Sequence, residues 1–259
     1  MGRSIKILVL GGTTEASALA RRLIGDDRFA PVLSLAGRTA SPHLPPIPHR
    51  IGGFGGGDGL ARWLLEQSMD AVVDATHPFA ARISANAVAA TGAAGIPLLS
   101  VVRPAWQPTP GDDWREVVDM AAAVAALGTT PRRVWLTIGG NELAAFRAAP
   151  RHTYLVRAVD APPADALPPD ATVILARGPF DLADERRLIA DHRIELLVTK
   201  NSGGAATAAK LTAARELGVP VIMVQRPIKP AAETVSDVAA VLAWLADRHA
   251  QISSSDRGV

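Results

Sequence analysis

Short β-type runs alternate with Ala- and Leu-rich stretches of helical length almost from one end of this chain to the other, and that rhythm constrains its fold more than any single motif. The spacing predicts strands at Ile5–Leu10, Ala30–Leu35, Ala71–Asp74, Pro97–Val102, Arg133–Thr137, Thr153–Arg157, Thr172–Ala176, Leu196–Thr199 and Pro220–Val224. Helices are predicted at Glu15–Ile24, Asp58–Gln67, Ala80–Thr91, Met120–Leu127, Asp181–Asp191, Ala205–Leu217 and Ser236–Arg248. The runs ending at Leu10 and Val224 are apolar rather than alternating, as strands covered on both faces require. Strands separated by helices pair in parallel through right-handed crossovers, so the fold class is α/β. Asp58 and Ser236 stand at N-cap positions, and Gly218 stands where a helix C′ residue belongs.

The Pro- and Asp-rich stretch Pro104–Asp113 reads as a linker. It divides the chain into a first lobe at residues 1–110, a bridging segment at 111–129 and a second lobe at 130–248. The polar tail 249–259 is expected to fray. The chain has 259 residues, 48% of them hydrophobic and 20% charged, enough to bury two modest cores. It has no cysteine, which removes disulfides, thiolate nucleophiles and cysteine-ligated metals together. No apolar run approaches the roughly 18 residues of a membrane span. The first one is too short for a signal sequence, so a cytoplasmic location is expected, with no membrane partner. A net charge of +2 is too small to argue for nucleic acid, despite a sequence pI near 9.4. Where the cations stand matters more than their sum.

Gly11-Gly12-Thr13-Thr14-Glu15 follows the first strand directly and opens the first helix. Glycines let a backbone approach a pyrophosphate, and the helix start supplies N–H groups and a favourable dipole. At the second strand an NAD site usually carries an acid for the ribose hydroxyls. Here the segment reads Leu33-Ser34-Leu35-Ala36-Gly37-Arg38-Thr39, without one. Ser34, Gly37, Arg38 and Thr39 suit a 2′-phosphate, which favours NADPH as cofactor. The loop Gly52–Gly59 lacks the Gly-Lys-Ser/Thr ending of an ATP-binding loop and is read either as a cover for the cofactor or as a flexible turn. Further on, Thr76 and His77 end a strand on the other side of the first, the place nearest a bound nicotinamide. His77 there is either a proton donor or a helix cap. Ser84 and Asn86 read only as packing or solvent-facing positions.

Cations close five of the later runs: Arg103, Arg157, Arg177, Lys200 and Arg226. Carboxyl ends of parallel strands line ligand crevices, so such a set describes a pocket for a ligand with several negative charges. Within it, Lys200-Asn201-Ser202-Gly203-Gly204 has the composition of an anion nest, and Arg177-Gly178-Pro179 sets an Arg on a rigid turn.

Together these segments resemble the precorrin-6A reductases and cobalt-precorrin-6A reductases of cobalamin biosynthesis. The motifs are Leu10–Ala16, Asp74–Ala80, Ala176–Phe180, Val198–Gly204 and Gln225–Pro227, in order and across both halves. The resemblance implies two Rossmann-like lobes with an interlobe active-site cleft. It implies an oxidoreductase that saturates one ring C=C bond of precorrin-6A with NADPH, giving precorrin-6B, with no flavin or metal. Lys200 and His77 are the catalytic candidates. The substrate-binding candidates are Arg103, Arg157, Arg177, Gly178, Lys200, Asn201, Ser202, Gly203 and Arg226. Gly11, Gly12, Thr13, Thr14, Glu15, Ser34, Gly37, Arg38, Thr39 and Thr76 are the cofactor candidates. A tetrapyrrole bearing many carboxylates is the expected partner, and transient contact with neighbouring pathway enzymes belongs to the same expectation. Rival readings are a non-catalytic NADPH sensor, a reductase of another polycarboxylate, a transferase using another nucleotide, and a short-chain dehydrogenase. The last lacks its Tyr-x-x-x-Lys dyad, because Ala158 stands four residues after Tyr154, the single tyrosine.

Overall fold

The computed structural model describes residues 3–37 and 44–255. It divides into two compact units, Met1–Arg103 together with Ile228–Val259, and Pro104–Pro227.

The first unit holds strands β1 (Ile5–Leu10), β2 (Phe29–Leu35), β3 (His49–Ile51), β4 (Ala71–Asp74) and β5 (Leu98–Val101). Helices α1 (Thr14–Leu23), α2 (Gly57–Glu66) and α3 (Ala81–Ala94) lie between them. The second unit opens with β6 (Trp114–Val117) and α4 (Met120–Ala126), then β7 (Arg133–Leu136) and a 3-10 helix at Gly140–Ala148. It continues with β8 (Thr153–Ala158), β9 (Ala171–Leu175), α5 (Leu182–Asp191), β10 (Leu196–Lys200), α6 (Ala209–Glu216) and β11 (Val221–Val224). The chain then returns to the first unit with β12 (Glu233–Val235) and α7 (Val238–Ser255).

Both sheets have six strands, in the orders β3-β2-β1-β4-β5-β12 and β9-β8-β7-β10-β11-β6, with every pair parallel. Written from its own first strand, each is the 3-2-1-4-5-6 order of a doubly wound sheet. The sixth place of each sheet is filled by the segment that follows the other unit's fifth strand. β6 comes after β5 but pairs with β11, and β12 comes after β11 but pairs with β5.

The apolar run Ile7–Leu10 of β1 is explained by two helix layers. Ile5, Ile7 and Val9 join Leu19 and Leu23 of α1 and Val241, Trp244 and Leu245 of α7 in one cluster. Leu8 and Leu10 point the other way, into Leu60 and Leu64 of α2 and Ala87 and Ala90 of α3. Each fully buried Ile or Leu contributes about 1.5–3 kcal/mol, so a polar residue anywhere from Ile7 to Leu10 is strongly disfavoured, whereas Lys6 at the start of the strand is exposed. In the second unit Trp135, Leu197, Val221 and Met223 pack with Ile189 of α5 and Leu211 and Ala214 of α6.

The structure departs from the sequence reading in several places. Pro104–Asp113 is no loose linker, because Asn201 binds both backbone groups of Trp106 and Arg215 binds the Thr109–Asp112 turn. The expected bridge 111–129 supplies β6 and α4 to the second unit, and residues 228–248 belong to the first unit rather than the second. α7 runs on to Ser255 instead of fraying from residue 249. Caps move as well. Gly56 stands at the N-cap of α2, so Asp58 lies in its first turn, and Asp237 rather than Ser236 accepts from Ala240 N. The helix predicted at Ala205–Leu217 is a 3-10 turn, Ala205–Thr207, followed by α6. Gly218, at φ +66, is the helix-ending residue the sequence suggested.

Candidate functional site

In a doubly wound sheet the crevice opens at the carboxyl ends of the strands, where the winding reverses. For the first unit that point lies between β1 and β4, and the turns after these strands are stitched together. Gly11 N donates to Ser34 O (2.9 Å), and Thr13 Oγ1 donates to Ala75 O (2.7 Å) while capping α1 by accepting from Ala16 N. A Cβ on Gly11 would sit 2.6 Å from Leu33 Cδ1, so a side chain there would require Leu33 to move. Gly12 has φ +108, and a Cβ there would meet nothing within 4 Å. The turn is therefore open on its outer side, as close approach of a pyrophosphate requires, and the residues fit a dinucleotide.

Thr14 donates to Glu15 Oε2 (3.1 Å), and Glu15 pairs with Arg103 at 2.9 Å. Burial raises the Glu15 carboxyl, but a backbone hydrogen bond and the Arg103 guanidinium outweigh it and hold it below the ordinary carboxylate range. Arg103, grouped in the sequence reading with the strand-end cations of a substrate pocket, thus lies in the first unit beside the glycine turn. After β4, Asp74 is buried and accepts from Thr76 N (3.0 Å), from Thr76 Oγ1 (2.6 Å) and from Ser84 Oγ. Ser84 is thereby a structural anchor rather than a packing residue, and the Thr76 hydroxyl is directed at Asp74. His77 Nδ1 accepts from Phe79 N at 3.2 Å, so in the neutral ring the proton is on Nε2. Helix α3 begins only at Ala81, which leaves Pro78 in the preceding turn. Lys229, from the returning segment, donates to His77 O (3.3 Å). The sequence reading quoted Asp74 only as the start of a motif, without a role, and missed Lys229, which sits in no recognisable spacing.

At the end of β2, Ser34 is buried and its hydroxyl accepts from Arg50 of β3 (3.0 Å). Gly37 follows at φ +72. Arg38 and Thr39 lie outside the described residues.

The reversal point of the second unit lies between β7 and β10, where Lys200 ends β10 and pairs with Glu142 at 2.9 Å. Arg157, Arg177 and Arg226 stand at or just past the ends of β8, β9 and β11, on the same carboxyl edge of this sheet. They differ in what they offer. Arg177 is exposed and precedes Gly178. Arg157 is buried, bound through Nη1 and Nη2 to both oxygens of Glu185, and stacked 3.7 Å from the Phe180 ring. Arg226 donates to the backbone oxygens of Pro104, Asn201 and Ser202. The expected nest is shaped by the same contacts. Asn201 is spent on Trp106, Ser202 Oγ donates to Lys200 O (3.2 Å), and a Cβ on Gly203 would lie 2.1 Å from Pro104 O. Arg157, Asn201 and Arg226, taken from sequence as ligand groups, are thus engaged by Glu185, Trp106 and backbone oxygens, and Gly203 is closed in by Pro104, while Lys200 pairs with Glu142 and Arg177 is exposed. Tyr154 is buried with its phenol donated to Ala149 O (2.7 Å), and burial pushes its pKa up to about 12. It is unsuited to the general-acid role of a dehydrogenase tyrosine.

Two doubly wound parallel sheets, one with an open glycine turn at its reversal point, define a Rossmann-like α/β protein. The family described as precorrin-6x reductase CbiJ/CobK matches residues 6–246. Precorrin-6A reductase of Rhodococcus erythropolis is 52% identical over 241 residues, covering 93% of this chain and 97% of the relative. The Rhodobacter capsulatus protein of the same name is 50% identical over 246 residues, covering 95% and 97%. A solved structure described as CobK precorrin-6A reductase superposes with a TM-score of 0.89 at 49% identity, covering 94% of this chain and 97% of that one. The chain belongs to the precorrin-6x reductase family and is an oxidoreductase.

Proposed function

We propose that this protein reduces one ring C=C bond of precorrin-6A with NADPH, giving precorrin-6B. The observation that carries the reading is near-complete coverage at 50–52% identity by relatives named for that activity. It is joined to a first-unit turn whose Gly12 side is open. Bound NADPH would supply the hydride. Gly11, Gly12 and Thr13 would receive its pyrophosphate at the start of α1, and Ser34 and Gly37 would flank its ribose. Asp74 keeps the turn after β4 in place through Thr76 and Ser84, which presents His77 with Nε2 protonated. His77, Lys200 or an ordered water would deliver the proton to the neighbouring ring carbon.

Lys200 and Arg177 would bind macrocycle carboxylates, with Lys200 exchanging its Glu142 partner for substrate. Metal-free substrate is favoured over the cobalt form. Relatives named precorrin-6A reductase are 46–52% identical, whereas those named cobalt-precorrin-6A reductase are 27–29% identical. No helix among the described residues is long and apolar enough to cross a membrane, and we place the activity in the cytoplasm. Loss of NADPH absorbance on adding precorrin-6A, with product two hydrogens heavier by mass spectrometry, is the expected result. Binding of both compounds without NADPH oxidation would favour the non-catalytic sensor instead.

A further inference from the structure

We infer that Arg50, on the short strand β3, is the guanidinium that reads the ribose 2′-phosphate and makes the first unit select NADPH over NADH. The inference deepens the reading above and rests on it.

β3 pairs in parallel with β2, and the register sets Arg50 directly beside Ser34. These two residues stand at the carboxyl edge next to β1, which is where a doubly wound sheet meets the adenosine ribose of a dinucleotide. An NAD-type site places an acid there. Residues 34–37 and 51–57 contain none, and the first acid beyond is Asp58 in α2. Arg38, which the sequence reading assigned to this phosphate, lies outside the described residues; among the described residues of this edge the charge is that of Arg50.

Its guanidinium is held rather than floating. Nη1 donates to Ser34 Oγ (3.0 Å) and to Gly52 O (2.9 Å), and Nη2 donates to Gly53 O (3.0 Å). Its face lies 3.7 Å from the Phe54 ring and 5.7 Å from that of Trp63. Three of its five N–H groups are therefore engaged, which leaves Nε–H and one Nη2–H without a partner among the described residues. The contacts are all with neutral oxygens and rings, so no carboxylate among the described residues neutralises the positive charge. Burial lowers the pKa of this group, a cost that an arriving phosphate would relieve. A rigid planar fork with two donors to spare suits a phosphate better than a mobile ammonium does. The glycine loop 52–57, whose carbonyls turn to Arg50, thereby acquires a role that its sequence alone left open.

The test titrates the full chain and its Arg50→Gln and Arg50→Lys variants by calorimetry with NADPH, NADH, 2′,5′-ADP and 5′-AMP. Wild type is expected to prefer NADPH to NADH and 2′,5′-ADP to 5′-AMP. Arg50→Gln is expected to weaken both 2′-phosphorylated ligands roughly 10- to 100-fold and the other two by less than about 3-fold. Arg50→Lys should recover part of the loss. An unchanged NADPH-to-NADH ratio in Arg50→Gln, or an equal loss for all four ligands, would overturn the inference while leaving the NADPH reading standing. Should Arg50→Gln fail to fold, the ratio in Arg50→Lys decides: a fall supports the assignment and no change overturns it. Wild type binding NADH as tightly as NADPH would instead sink the NADPH reading itself, and the role of Arg50 with it.

Discussion

Lys210 is the least comfortable charge in the protein and gives its sharpest pH prediction. It lies in α6 at 3% exposure, its Nζ 5.0 Å from the Trp106 ring, among Arg157 and Glu185. Burial depresses its pKa most, the Arg157 charge adds to that, and Glu185 opposes both; the result is a fall from 10.5 to about 7. Glu185 offers little more, since both its oxygens are already bound to Arg157. The sign follows from proton counting. Between about pH 7 and 10.5 the unfolded chain holds a proton that the folded chain has released, so stability rises with pH through that window. Below pH 7 both states are protonated and the folded state bears the full cost of the buried ammonium. Each tenfold change in proton affinity is about 1.4 kcal/mol, so that cost is on the order of 5 kcal/mol, and roughly 3 kcal/mol of it is recovered between pH 6 and 9. Lys210→Met removes the titrating group and keeps most of the volume. Urea unfolding at pH 6 and pH 9, followed by tryptophan fluorescence, should show the variant several kcal/mol more stable than wild type at pH 6. That advantage should shrink by about 3 kcal/mol at pH 9. A wild-type-to-variant difference that is the same at both pH values would refute the argument.

Glu185→Gln leaves Arg157 and Lys210 buried without an anion and should lower unfolding stability at pH 7 by about 3–5 kcal/mol, measured by the same denaturation. Gly203→Ala forces a side chain into the Pro104 carbonyl at φ +67 and is expected to destabilise by at least about 2 kcal/mol, seen as a lower melting temperature. Lys200→Ala should raise the KM for the tetrapyrrole or slow turnover by roughly tenfold or more, with NADPH affinity unchanged by titration. Loss of NADPH binding with normal substrate binding would contradict the assignment of Lys200.

Much of the site was visible in the chain because its logic is local. A glycine pair between an apolar strand and a helix start can be read directly, since Gly12 needs its positive φ and Gly11 packs against the end of Leu33. Strand-end cations were equally legible, but their use was not. Arg157 looks the same as Arg177 in sequence, and only the fold brings Glu185 beneath one and leaves the other exposed. Arg50 was overlooked because β3 has three residues, too few to show a period, and its meaning depends on a neighbour sixteen positions earlier.

By itself, then, the amino-acid order determined the α/β class, most strands and helices, and the glycine turn, because side-chain periodicity and backbone freedom are properties of neighbouring residues. Tertiary structure alone decided which sheet receives β6 and β12, where the two units divide, and which cations are paired. Those choices depend on edge-strand register and on burial against segments up to a hundred and more residues away, and nothing in a short stretch of sequence encodes its distant partner.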